Sequence, residues 1–419
     1  MRALAHRDYR IFWIGSIVAG IGQWMQIFAV GWMIADIAVR EGDPRMASFD
    51  LGLLGLASGV PSMLFTPIAG ALADRHDQRF ILQFSQIGSA LIGIALAALA
   101  LTHNETVASL IALYALMSVL KAFDFPVRWS MVGRIVPPRD QVNAIGLQSV
   151  SFNLPQTLGP AAGGVLIGIV GAGGLLVISA LSGIAVIGAL AAMRPIPPLG
   201  TKRSSSVARD IATGWSFVLG HPVLRSAAVI CVAVAFFARP STQLLPAYTV
   251  SVLGAGATEL SWLLSATGIG GVVGALIVAN LGGMRRRGVG FFATAALAGI
   301  TVTLLGAQQL LAPALIATFA FGAAAMLFSG MSNTVFQMLA PDHMRGRVMA
   351  LYTLIFMSLI PLGTMAIGGL GAVVGVDRAF IVGGALLLAT TAYGVIRYAG
   401  VRALHDPGLE VSAPEVART

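Results

Sequence analysis

The sequence predicts an all-α polytopic membrane protein with twelve transmembrane helices in two pseudo-symmetric six-helix bundles. Three observations carry the prediction. Hydrophobic residues make up 57% of the 419 and charged residues only 10%, with a mean hydropathy of +0.86, too little polar surface to coat a soluble globule. About twelve apolar runs reach the roughly 20 residues that a helix needs to cross hydrocarbon. The halves also read as copies: one shift of about half the chain lays Pro137 on Pro341, Leu147 on Leu351, Phe152 on Phe356, Gly159 on Gly363 and Gly164 on Gly368. That is the pattern of two six-helix repeats about an axis normal to the membrane.

The apolar runs of the first half are 12–38, 51–73, 80–101, 106–125, 143–168 and 175–193. Those of the second half are 226–253, 260–283, 289–310, 314–338, 348–374 and 379–398. The chain therefore divides into an N-terminal bundle (1–193), a linker (194–225), a C-terminal bundle (226–398) and a tail (399–419). The linker is rich in Pro, Ser and basic residues. Its second part sets Val207, Ile211, Trp215 and Val218 at helical spacing, which predicts a short amphipathic helix on the inner membrane face.

Charge placement orients the chain, because cytoplasmic loops collect Lys and Arg. With both termini inside, the outer segments hold only Arg40, Arg45 and Arg378, Lys121 and Arg239 fall within apolar runs, and the rest of the 26 basic residues lie on the inner side. Topology and attraction to membrane lipids thus account for the net charge of +9, with no nucleic acid partner. The first apolar run is too long for a signal-peptide core and is read as a permanent helix. Cys231 is the single cysteine and falls in an apolar run, which excludes a disulfide framework and a multi-cysteine metal site. Neither lysine follows a glycine and no His is followed by Glu, so phosphate-loop and His-Glu-x-x-His chemistries are absent. No enzyme activity, cofactor or metal is expected.

One polar stretch, "GALADRHDQRF" at 70–80, interrupts the greasy pattern and makes a short turn between two antiparallel helices. It resembles the signature between helices two and three of the major facilitator superfamily, with Gly70, Leu72, Ala73, Asp74, Arg75 and Arg79 matching. Asp77 stands where that pattern has Gly, and Gln78 where it has a basic residue. The stretches "HRDYRIFWIGSIVAGIGQWMQ", "AFDFPVRWSMVGRIVPPRDQVNAIGLQSVSFNLPQTLGPAAGG" and "HMRGRVMALYTLIFMSLIPLG" resemble the bacterial drug and siderophore exporters of that superfamily. The resemblance implies a monomeric inner-membrane transporter. It places Asp74 opposite the N-terminal end of the eleventh helix, where free N–H groups favour an anion. It also pairs Asp124 with Arg75 or Arg79 in a latch between the halves, the alternative for Asp124 being a local pair with Arg128. Gly159, Pro160, Gly163 and Gly164 resemble the antiporter glycine motif of the exporters, where small residues allow close helix packing and Pro160 allows bending.

Arg239 lies near mid-membrane, where a guanidinium costs at least ~2.5 kcal/mol and so needs a partner or a wet cavity. Three uses are open: binding an anionic substrate, pairing with a carboxylate such as Asp36, or stabilising a kink beside Pro240. Gln23, Gln26, Gln243, Asn333 and Gln337 are expected to line a cavity with Arg239, and Trp24 and Tyr248 to stack on the substrate. No carboxylate falls at mid-helix, so Asp36 is the candidate for proton coupling. The function expected is export of a small amphipathic compound in exchange for protons; the alternative is an importer or a lysophospholipid translocator on the same fold.

Overall fold

The computed structural model describes residues 2–196, 207–280 and 286–398, without the side chains at 67, 70–71, 73–75, 125 and 207–212. Its helices are α1 (Arg7–Arg40), α2 (Met46–Arg75), α3 (Gln78–Leu101), α4 (Val107–Lys121), α5 (Asp124–Ile135), α6 (Gln141–Ala192), α7 (Val207–Gly220) and α8 (Pro222–Ala233). There follow α9 (Pro240–Gln243), α10 (Leu245–Ser251), α11 (Ala257–Asn280), α12 (Arg287–Gly306), α13 (Leu311–Leu339), α14 (Arg345–Val374) and α15 (Val376–Arg397). Among the described residues, 11 helices are long and apolar enough to span a bilayer. The 52-residue α6 supplies two crossings, because Gly171 breaks it at φ 69° and ψ 176°, a conformation open to glycine. The two arms of α6 and the ten other spans give twelve crossings, so the start of α1 and the end of α15 lie at one end of the bundle, the near end.

Two spans differ from their apolar runs for a physical reason. The fourth run fades at Asp124, yet the helix restarts after a turn at Ala122 and Phe123 and continues as α5. Its polar residues face inward: Asp124 and Arg128 are both buried, 9% exposed. The seventh span is α8, a π-helical turn (Val234–Ala238), α9 and α10 in series. The π turn closes with Arg239 N–H donating to Val234 O at 3.1 Å, and Pro240, which has no N–H, opens the next turn.

Packing repeats with the sequence. α1 lies along α6, tied by Tyr9 Oη to Ala144 O (2.9 Å), Trp13 Nε1 to Leu147 O (2.8 Å) and Ser179 Oγ to Gly22 O (2.6 Å). α2 packs on α4 as α11 packs on α13, and α3 on the second arm of α6 as α12 packs on α15. The halves meet along two seams, α2 with α14 and the first arm of α6 with α11. Phe80, Phe84, Leu91 and Ile94 of α3 stand more than half exposed, an apolar stripe suited to acyl chains.

The linker helix exists, as α7, and packs on α8 and α14. Val218 is fully buried and Gly214 abuts the Arg347 carbonyl at the distance where a Cβ would stand 3.1 Å from it, so this end of α7 is clamped to protein. Residues 197–206 of the linker and the tail 399–419 lie outside the described residues.

Candidate substrate pathway and gate

The two seams close the far end. On the first, Gly55 faces Thr364, Gly59 meets Pro361, and Gly368 meets the Ser48 carbonyl. On the second, Gly164 abuts Ser261 and Gly268 abuts Thr157. Gly31 of α1 approaches Pro246 of α10. Small residues at these points let the backbones of opposite halves touch. Toward the near end the seams part, and Phe152, Asn153 and Gln156 of α6 stand exposed on the wall of an open cavity.

A central cavity of about 280 Å³ lies at the boundary between the halves. Trp24, Phe28, Tyr114 and Pro160 of the first half and Arg239, Gln243 and Leu264 of the second line it. Arg239 is its one charged lining side chain among the described residues, and it makes no hydrogen bond or ion pair there through its guanidinium. Of the three uses expected for it, pairing with Asp36 is excluded in this conformation: Asp36 holds Arg40 at 3.1 Å, and Arg40 also bonds Glu105 at 3.0 Å. The kink beside Pro240 is closed by backbone bonds and leaves the guanidinium free to face the cavity.

A second cavity of about 310 Å³ adjoins it on the near side and shares Trp24 and Gln156. Here Asp124 accepts hydrogen bonds from Ser85 Oγ (2.9 Å) and Gln86 Nε2 (2.7 Å) and lies 3.8 Å from Lys121 Nζ and 3.7 Å from the Arg128 guanidinium. Arg128 also donates to Ser16 Oγ at 2.7 Å and covers the Phe12 ring. Lys121 Nζ reaches Gln23 Oε1 at 3.4 Å. The cluster carries two cations and one anion. Gln26 Nε2 and Gln148 Oε1 are buried nearby without a hydrogen-bond partner among the described residues, which leaves polar capacity for a ligand.

Several expected placements need correction. Tyr248 is fully buried away from the cavity; it packs on Phe380 and donates to Leu305 O and Gln308 O, fastening α10 to α12. Asn333 and Gln337 bond each other at 2.6 Å, one turn apart on α13, and do not line the central cavity. Helical period cannot tell which face of a wholly apolar helix meets the cavity: Tyr248 turns into protein, while Asn333 is half-buried and Gln337 exposed. Gln23, Trp24, Gln26 and Gln243 do line the cavities. The cavities also take in Lys121, Gln86 and Tyr114, of which the lysine within an apolar run carries the signal in the sequence.

Arg79 is not the partner of Asp124. It grips Asp77 at 2.9 Å and donates to the Met193 carbonyl, while the Asp77 carboxylate accepts from Arg79 N–H as the cap of α3. This ties the motif turn to the end of α6. Gly70 is described only as helical backbone, and the side chains of Asp74 and Arg75, with the expected contact at the start of the eleventh helix, lie outside the described residues. Burial pushes the Asp77 carboxyl up, but hydrogen bonds from Arg79 and its charge outweigh that and hold it below the usual carboxylate range. A depressed value means the contact stabilises the fold fully above the ordinary carboxyl pKa near ~4 and is lost as pH falls through the folded value. Asp77→Ala should therefore lower stability by about 1 kcal/mol for a lost cap, read as a drop in thermal midpoint that is equal at pH 6 and pH 8. A penalty that changes sharply between those two pH values would contradict the assignment.

Gly159 and Gly163 press against α1. A Cβ on Gly159 would stand 3.0 Å from the Ile21 carbonyl and run into Trp24, and one on Gly163 would stand 2.8 Å from the Phe28 ring. The motif thus seats the two cavity aromatics and, one residue on, closes the far seam at Gly164.

Two six-helix halves with a cavity at their boundary, closed at one end by small residues and open at the other, define a membrane transporter. The chain belongs to the major facilitator superfamily: residues 1–415 match the family described as transmembrane secretion effector. It is 27% identical to the multidrug efflux pump Tap of Mycolicibacterium fortuitum, over 91% of this chain and 92% of that protein. It is 24% identical to the staphyloferrin A transporter of Staphylococcus aureus, over 38% of this chain and 39% of that one. In fold it is similar, at a TM-score of 0.70 and 17% identity, to a bacterial homologue of the human lysosomal transporter Spinster solved in an inward-facing, unoccupied conformation, covering 94% of this chain and 96% of that one.

Proposed function

We propose that the protein exports a small amphipathic compound across the bacterial inner membrane by alternating access, in exchange for protons, with both termini cytoplasmic. The observation that carries the reading is the cavity lined by both halves, closed at the far end and open toward the near end. With the near end inside, this is the loading state of an exporter. Its wall joins Trp24, Phe28 and Tyr114 to a few polar groups, the composition of a pocket for an amphipath. Efflux by the relative Tap, as its name states, supports the direction.

An antiporter must release its proton inward from a carboxylate open to the inside. Asp36 faces a cavity of about 610 Å³ at the far end in this state, so it is open to the wrong side for that step. Asp124 faces the near-side cavity, and the coupling proton is assigned to it in place of Asp36. Lys121 Nζ and the Arg128 guanidinium face it at 3.8 and 3.7 Å as its charge partners. The experiment is uptake of fluorescent amphipaths into everted membrane vesicles energised by respiration. Accumulation in everted vesicles, abolished by collapsing the proton gradient, is expected; accumulation only in right-side-out vesicles would make the protein an importer.

A further inference from the structure

The arrangement of charge in the cavities specifies the substrate further. The central cavity has one charged lining group among the described residues, Arg239, and no carboxylate offsets it. Among the described residues the adjoining cavity adds Lys121 and Arg128 against the single carboxylate of Asp124. Trp24 and Gln156 line both cavities, so the two form one pathway with an excess of positive charge. A low-dielectric cleft lined by one sign of charge concentrates ligands of the opposite sign and repels its own. A free guanidinium at mid-membrane is expensive unless it meets a counter-charge during the working cycle. The kink explanation is met by the backbone, and the ion-pair explanation fails because Asp36 is engaged by Arg40. What remains to Arg239 is the ligand.

We infer that the substrate is an acidic amphipath, a carboxylate or similar anion on an aromatic or polycyclic body, whose acid group docks on Arg239 while its ring system lies among Trp24, Phe28 and Tyr114. A second consequence follows from the charge itself. An anion leaving a cell whose interior is negative is driven outward by the membrane potential, so export of this substrate is electrogenic and speeds up when the interior is made more negative, even at zero pH difference. The inference rests on the exporter reading for the direction of movement only; binding of the acid does not depend on it.

The test uses two dyes with the same tricyclic frame and opposite charge, fluorescein and rhodamine 123, at pH 8. Fluorescence anisotropy with the purified full chain in detergent reads binding. Efflux from liposomes under a potassium–valinomycin potential reads transport. Fluorescein should bind at least about tenfold more tightly than rhodamine 123, the scale of one charge-assisted contact. Arg239→Gln should lose that preference and Arg239→Lys should retain most of it. Fluorescein efflux should rise with an interior-negative potential. Equal or tighter binding of rhodamine 123 by the unaltered protein would overturn the inference without reference to any variant's folding, and if the cation were also exported the transporter reading would stand alone. Fluorescein bound with the expected preference but never moved under any gradient would leave the acid site intact and remove the exporter reading.

Discussion

Gly164→Val should abolish most transport while leaving the protein inserted and folded. Gly164 abuts the Ser261 side chain across the seam that shuts the far end, and a Cβ there overlaps Ser261 Cβ and Oγ. Overpacking of this kind costs about 1 to 3 kcal/mol, but only in the conformation in which the seam is closed. Opening the far end relieves it, so the substitution acts on the balance between the two states, shifting it roughly 5- to 150-fold. The measurement is labelling of Gln156→Cys, on the cavity wall, by an impermeant maleimide from each side. The native thiol, Cys231, is buried and gives little background. Without Gly164→Val the label should arrive only from the near end; with it, the far end should become the faster route. An unchanged labelling pattern with normal transport would show that the seam is not a gate.

Asp124→Asn is expected to have the next largest effect, on coupling and on stability together. Among the described residues the carboxylate is the sole acid paired with Lys121 and Arg128, and its two oxygens also receive Ser85 and Gln86. Removing one member of a fully buried charge group costs about 3 to 5 kcal/mol. The side chains here are 11 to 18% exposed to a cavity, so about 1 to 3 kcal/mol is a fair discounted figure. Lys121→Gln in the same chain should recover much of the lost thermal stability, because it removes the uncompensated cation, yet proton coupling should stay lost. Additive destabilisation in the double variant would mean that Lys121 and Asp124 do not interact energetically.

Much of this architecture is written in composition and spacing. The twelve crossings follow from apolar length, and the repeat that lays Gly164 on Gly368 joins two residues that both close the far end, one on each seam. The corner between the fifth and sixth runs was legible at 169–174, but not that Gly171, among its three glycines, takes the positive φ. The site was legible in part. Residues whose chemistry clashes with hydrocarbon, such as Arg239, declare themselves, and the structure sets it on the cavity. Amides and phenols satisfy one another or the backbone, so Tyr248 resembles a cavity residue in sequence while fastening α10 to α12, and Asn333 and Gln337 bond each other along α13. Asp77 shows the limit of motif matching: standing where the family pattern has Gly, it takes Arg79 for itself and leaves Asp124 to Lys121 and Arg128.

The most direct measurement is of two fluxes in one preparation: the purified protein in liposomes, with a pH gradient imposed in either direction, an acidic dye outside or inside, and internal pH followed alongside the dye. Proton-coupled exchange predicts dye moving against its own gradient, protons moving the opposite way in step with it, reversal when the gradient is reversed, and loss of the linkage in Asp124→Asn. Dye movement of equal rate and extent whatever the sign of the pH gradient, with no accompanying proton flux, would contradict it.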